Sequence, residues 1–229
     1  MTPAIEPAQE AAAPMPMIYH PGLGQMVNYE VRELSDDPDE QVAQTIALMR
    51  GYVREDWNQG PVIKDAGEVL AYSLGHDPVD AVYWYVRRRL LFTRDETIAQ
   101  PFSFAADVVE ALIRPVDMAV LPEGSKIGDC DDYVMYAAAL LKALGVESRF
   151  VTVAADPRDP GRYSHVYLAV YHQGGRIPFD ASHGDYPGWE TGSPYGKRRE
   201  WNIFGPELAP MVGLLLGIGA LALFSRRRT

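Results

Sequence analysis

Sulfur is nearly absent: the 229-residue chain holds a single cysteine, Cys130. One thiol excludes an internal disulfide and any metal site built from several cysteines, and it fits a reducing compartment. Positive charge is also in deficit. Against 31 Asp and Glu stand 21 Lys and Arg, a formal net charge of −10, so no electrostatic footprint for a nucleic-acid partner is present. The N-terminus lacks a basic region followed by an apolar run. No Lys or Arg precedes Arg32, and the stretch from Met1 to Met17 is rich in Ala and Pro and carries Glu6 and Glu10, so it does not read as a secretory signal. The five histidines form no His-x-x-x-His pair and no zincin pattern; no metal and no cofactor are expected. Hydrophobic residues are in ordinary supply at 47%, which excludes general disorder.

This composition suits one domain with tails. Residues 1–35 read as a disordered or extended arm, 36–190 as the domain and 191–207 as a linker. Residues 208–225 read as an apolar helix. Leu208 to Phe224 carries no charge over 17 residues, the lower edge of a bilayer span. Arg226, Arg227 and Arg228 follow it, and Lys197, Arg198 and Arg199 precede it, so the charge rule leaves the orientation open. The expectation is a membrane anchor, cytoplasmic-facing or in a virion; burial in a large assembly is the other reading. Gly213 and Gly217 match a small-xxx-small pattern that would permit self-association. Trp189 and Trp201 suit either a membrane interface or loop packing.

Within the domain, Asp37-Pro38-Asp39-Glu40 opens a helix whose apolar stripe is Val42, Ile46, Met49 and Val53. A shorter helix is expected around Lys64 to Leu74. Another starts with Asp77 as N-cap and Pro78 at the first position and runs to about Phe92. Its Arg87, Arg88 and Arg89 read as a solvated face. One or two helical turns are expected within Phe104 to Ile113. From Asp131 to Leu144, apolar residues recur at helical steps and Gly145 stands at the stop. Strands follow: Ser148 to Ala154, an alternating Tyr163 to Tyr171, a turn at Gln173-Gly174-Gly175, and a return strand from Arg176 to Asp180. Ser182 to Glu207 reads as loop and linker. Helices first, then a meander of strands, predict an α+β fold with an antiparallel sheet.

Cys130 lies in Gly-Asp-Cys-Asp-Asp, at the start of the helix that ends near Leu144. A thiol in a first helical turn faces free N–H groups and the positive end of the dipole, and both favour thiolate. Asp129 can cap that turn. The flanking acids act the other way and raise the thiol pKa. A thiol nucleophile needs a base, and the base an orienting acceptor. His165 sits in an apolar and aromatic strand 35 positions later, and Asp180 ends the next strand; a short hairpin brings the two within a few rungs. His183 follows the aspartate strand; it reads first as a residue without a functional role, and a place at the border of the cleft is the other reading. His20, His76 and His172 read as surface residues.

The stretch from Gly128 to Phe150, with Ser164-His-Val-Tyr and Ile177-Pro-Phe-Asp-Ala-Ser, resembles the nucleophile, histidine and aspartate segments of the transglutaminase-like cysteine hydrolase superfamily. The two acids after the cysteine make it most similar to members found in phages and prophages. The resemblance spans about Asp80 to Ser182. It implies a papain/transglutaminase-like α+β fold, with N-terminal helices and the nucleophile helix packed on an antiparallel sheet. It also implies a catalytic triad of Cys130, His165 and Asp180. Gln100, upstream as in papain-like enzymes, is the candidate second oxyanion donor beside the Cys130 amide. The implied activity is thiol-dependent acyl transfer on protein or peptide amides, by hydrolysis or by cross-linking. The alternative is a catalytically idle structural or assembly protein of a phage-like particle or membrane complex.

Overall fold

The computed structural model describes residues 17–20, 25–28, 35, 37–73, 75–95, 111–191 and 196–205. Gln100, the helix expected within 104–113 up to residue 110, and the apolar segment 208–225 with Gly213 and Gly217 lie outside the described residues. Strands β1 (Met17–His20) and β2 (Gln25–Asn28), inside the expected arm, pair antiparallel. Among the described residues no helix is long and apolar enough to cross a membrane.

Three helices come first. α1 (Pro38–Asp56) is opened by Asp37, whose carboxylate accepts from the amides of Asp39 and Glu40. α2 spans Gly60–Ser73. α3 (Pro78–Arg89) is capped by Asp77, which accepts from the Val79 amide at 2.8 Å. Proline at the first helical position suits both capped starts, since its missing N–H would be unpaired there. α3 does not continue to Phe92 as expected. Its chain turns extended at Leu90, and β3 (Leu90–Phe92) pairs in parallel with β4 (Lys126–Gly128). A short helix not anticipated, α4 (Pro115–Val120), lies between them in sequence.

α5 (Cys130–Ala143) is the centre of the molecule: every residue from Asp131 to Leu141 is buried. It packs against α1, α2 and α3 and also against β5 and β6. Small side chains at Ala137, Ala138 and Ala139 let neighbouring elements approach closely on several faces. The helix stops where expected, with Gly145 at φ +77 and its amide bonded to the Lys142 carbonyl; a positive φ costs glycine least. Several polar groups buried beside α5 are partnered, as burial favours. Tyr136 donates to the Asp65 carboxylate, and Tyr133 donates to the Leu90 carbonyl at 2.6 Å. Lys126 donates to the carbonyls of Met118 and Ala119, and burial pulls its amine down to about 8.

The main sheet is antiparallel, in the order β7-β6-β5-β8, from β5 (Glu147–Val153), β6 (His165–His172), β7 (Gly175–Phe179) and β8 (Arg198–Asn202). Gln173 and Gly174, both at positive φ, close the β6–β7 hairpin, as a tight two-residue turn demands. Strand alternation divides the sheet's side chains. Phe150, Val166, Leu168 and Val170 join the core around α5, while Val151, Val153, Tyr167 and Ala169 form a smaller cluster on the other face. β8 lies within the stretch expected to be loop and linker. Trp201 explains its place there: it is 6% exposed, and its Nε1 donates to the Thr152 hydroxyl of β5 at 2.9 Å. Loop or sheet packing, not a membrane interface, accounts for this tryptophan.

Leu140, wholly buried in α5, reports on the core. Leu140→Ala is expected to lower unfolding free energy by about 2–5 kcal/mol, measured as a shift in the urea midpoint at unchanged slope.

Candidate active site

Three elements bring the expected residues to one end of the sheet. Cys130 is the first residue of α5 and half-buried. Asp129 caps the helix: its carboxylate accepts from the Asp131 amide at 3.3 Å, and a capping box with Asp132 is closed. Asp132 completes it by accepting the Asp129 amide at 3.3 Å through Oδ2. Its Oδ1 accepts from the Ile113 amide at 2.7 Å. Two positions further back, Asp95 accepts from the Ala111 amide at 2.8 Å, so the residues on either side of 96–110 are tied together beside the cysteine. Gly128 is required here: a Cβ on it would stand 2.6 Å from the Asp132 Cβ.

His165 begins β6, and Asp180 follows β7 directly. In the β6–β7 register Leu168 faces Phe179. One step further along puts Asp180 opposite Tyr167, on the same pleat face as His165. His165 Nε2 and Asp180 Oδ2 are 2.6 Å apart, with the two side chains 7% and 0% exposed. Asp180 Oδ1 accepts from the Ser182 hydroxyl at 2.8 Å and from the His183 amide at 3.0 Å. Burial pushes the Asp180 carboxyl up, but the hydrogen bond and charge of His165, then the bonds from Ser182 and His183, outweigh it and hold the group below the usual range. A carboxylate that stays ionised accepts the Nε2 proton, which leaves Nδ1 as the His165 nitrogen able to take one.

Cys130 and His165 line one cavity of about 240 Å³. Its walls are the apolar side of α1 at Val42, Ile46 and Met49, the start of α5 at Asp129 and Asp131, and the strand approach at Arg162, Tyr163 and Ser164. A larger groove of about 690 Å³ runs between α2 and α3 past Tyr72, His76 and Trp84. It contains neither Cys130 nor His165, so the smaller cavity is the chemical candidate.

α3 supports the aspartate turn from behind. Tyr83 donates to the Asp180 carbonyl at 3.3 Å, and Arg87 donates to the Ala181 carbonyl at 3.1 Å. Gly184 lets this happen, since a Cβ there would sit 2.6 Å from the Asp180 carbonyl oxygen and 3.0 Å from Tyr83 Oη. The arginines expected on a solvated face are therefore engaged: Arg87 at the turn, Arg88 over Trp84, and Arg89 with Glu68 and over Tyr85. His172 lies away from the cavity, 3.2 Å from Asp77. Ser182 was not singled out from sequence. Its signal was local: an Asp followed by Ser two positions later favours a turn closed by the Asp side chain. Among the described residues, two clusters have ligand-type atoms within 4.8 Å of one another, His165 with Asp180 and His183, and Asp95 with Asp129 and Asp132; neither grouping shows as a spacing pattern in the sequence.

The transglutaminase-like superfamily model matches residues 77–181, the stretch that contains Cys130, His165 and Asp180. No curated protein matches the chain. Among solved structures, it is similar to a candidate cysteine protease from Cytophaga hutchinsonii, at 19% identity and a TM-score of 0.39, over 77% of this chain and 61% of that one. A structure described as a TGase is similar at 12% identity and a TM-score of 0.37, over 72% of this chain and 46% of that one. The chain thus spans less than two thirds of the length of either structure.

Burial, then the carboxylates of Asp129 and Asp95, raise the Asp132 carboxyl well above the usual range against the two amides that bond it. A folded pKa above the unfolded one means stability that is complete below the ordinary carboxyl value and is lost as pH rises toward the raised one. Asp132→Asn keeps an acceptor and cannot ionise. Its unfolding free energy is expected to fall less than that of the parent chain as pH rises above about 4, read from urea midpoints over that rise. Parallel curves for the two chains would contradict the assigned protonation.

Proposed function

We propose that the chain carries out thiol-dependent acyl transfer on protein or peptide amides, with Cys130 as nucleophile, His165 as general base and acid, and Asp180 as its orienter. The observation that carries the reading is the 2.6 Å bond between His165 Nε2 and a fully buried Asp180, at an imidazole that shares a cavity with Cys130. The family-model match over 77–181 supports it.

With Nε2 committed to Asp180, Nδ1 of His165 takes the Cys130 proton. The thiolate adds to the amide carbonyl carbon, and the electron pair moves to oxygen. The Cys130 amide, in the first turn of α5, supplies one donor to that oxyanion; Gln100 is the candidate for a second. Collapse of the tetrahedral species breaks the C–N bond as His165 gives its proton to the leaving amine. A thioester remains. Water resolves it to an acid, or an amine resolves it to a new amide, and the cysteine regains its proton. The apolar wall of α1 at Val42, Ile46 and Met49 suits an uncharged portion of a peptide.

The apolar run Leu208 to Phe224 and its arginine flank support a tether that holds this domain at a membrane. Full-length chain is expected to remain with lipid vesicles after alkaline carbonate washing, and a chain ending at residue 205 to be released. Release of both chains would instead favour a tail covered by protein.

Cys130 is expected to react rapidly with iodoacetamide at neutral pH. His165→Ala should slow it by at least about tenfold, measured by intact-mass kinetics. Labelling that is slow and indifferent to His165 would count decisively against acyl transfer and leave the reading of an idle assembly protein.

A further inference from the structure

His183 follows Asp180 by three residues and takes no part in the steps above, yet it is in contact with both partners of the imidazole–carboxylate pair. Its Nδ1 stands 2.9 Å from Ser182 Oγ, and Ser182 Oγ stands 2.8 Å from Asp180 Oδ1. A serine hydroxyl has one proton to donate. Donated to the Asp180 anion, it leaves Oγ an acceptor toward His183, so Nδ1 of His183 carries the proton in that contact. The bonds then run in one direction, from His183 Nδ1–H to Ser182 Oγ–H to Asp180 Oδ1. The His183 ring also meets the His165 ring edge to face, with centroids 4.6 Å apart at 75°, and meets Phe92 likewise at 5.0 Å and 74°.

We propose that His183, acting through Ser182, is a positioning residue: it holds the Asp180 carboxylate in register with His165 and walls the imidazole on one side. The inference rests on the acyl-transfer reading, in which Asp180 orients the base. The physical need is clear from the aspartate side chain. Its terminal torsion is broad, so the Nε2 bond alone does not fix the carboxylate plane. Ser182 and the His183 amide hold the second oxygen, and the His183 ring holds Ser182. Charge is compatible with this role. Burial, then the adjacent His165, push the His183 imidazole below its ordinary value; Arg87 acts in the same sense, and Asp180 and Asp129 oppose it. A neutral neighbour lets His165 accept the thiol proton without a second cation beside it.

The test compares His183→Phe, which keeps a ring and loses the donor, with His183→Asn, whose amide can stand in for Nδ1–H, and with Ser182→Ala, which cuts the relay. Two quantities are read on the full chain. The first is the proton NMR signal of His165 Nε2–H, slowed in exchange by its bond to a buried carboxylate. It is expected to broaden or vanish in His183→Phe and Ser182→Ala and to return in His183→Asn. The second is the rate of Cys130 alkylation by iodoacetamide at about pH 6.5. It should fall about tenfold in His183→Phe, recover to within about twofold in His183→Asn, and fall no further when His183→Phe is added to Ser182→Ala, because His183 acts through Ser182. A His165 signal unchanged in both His183→Phe and Ser182→Ala overturns the inference, as does a His183→Asn chain no better than His183→Phe. If the signal follows His183 while alkylation ignores His165 altogether, the positioning stands and it is the acyl-transfer reading that falls.

Discussion

A carboxylate with no exposed surface is the constraint on which the rest of the site depends. Burying an ionised group is costly unless its oxygens are bonded, and Asp180 meets that demand with His165 on one oxygen and with Ser182 and the His183 amide on the other. The requirement reaches backward through the chain. The β6–β7 hairpin must have its observed register, the turn after β7 must close tightly over Gly184, and α3 must present Tyr83 and Arg87 to the turn's carbonyls. The orientation of the His165 imidazole is a consequence of these contacts, since its Nε2 is committed to Asp180.

The start of α5 is electrostatically divided. First-turn amides and the helix dipole favour a Cys130 thiolate by about 0.3–1 kcal/mol, reaching about 2 in partly buried settings. A nearby carboxylate acts the other way, and Asp129 and Asp131 line the same cavity as Cys130. The helix end and the acids therefore act on the thiol in opposite senses. The acids have a structural task that explains their presence. Asp129 and Asp132 cap the helix reciprocally, and Asp132 holds the Ile113 amide, so the loop that presents the cysteine is stiff.

Much of this was legible in the residues. The starts of α1 and α3 were marked by Asp followed by Pro, the stop of α5 by Gly145, and the β6–β7 hairpin by alternation closed on Gln173 and Gly174. All of these signals lie within a few positions of what they specify. The misreadings concern partners far away in sequence. Leu90–Phe92 continues the helical pattern of α3 but is drawn into a parallel pair with Lys126–Gly128. Arg198–Asn202 has no strand-like alternation and is a strand because β5 offers an open edge and a place for Trp201. Arg87 reads as a solvated residue until the aspartate turn is laid against it.

For the site, sequence by itself determined the chemistry on offer: one thiol at a helix start, one histidine in an apolar strand, one aspartate at the next strand's end, and a short hairpin compelled to bring the last two close. Tertiary structure alone decided which imidazole nitrogen is engaged, which residues close the aspartate turn, and which cavity holds the cysteine together with the histidine. The division has a physical cause. Caps, turns and periodicity are set by backbone dihedrals and neighbours along the chain, whereas a hydrogen bond between buried side chains 15 residues apart exists only after packing has excluded water from both.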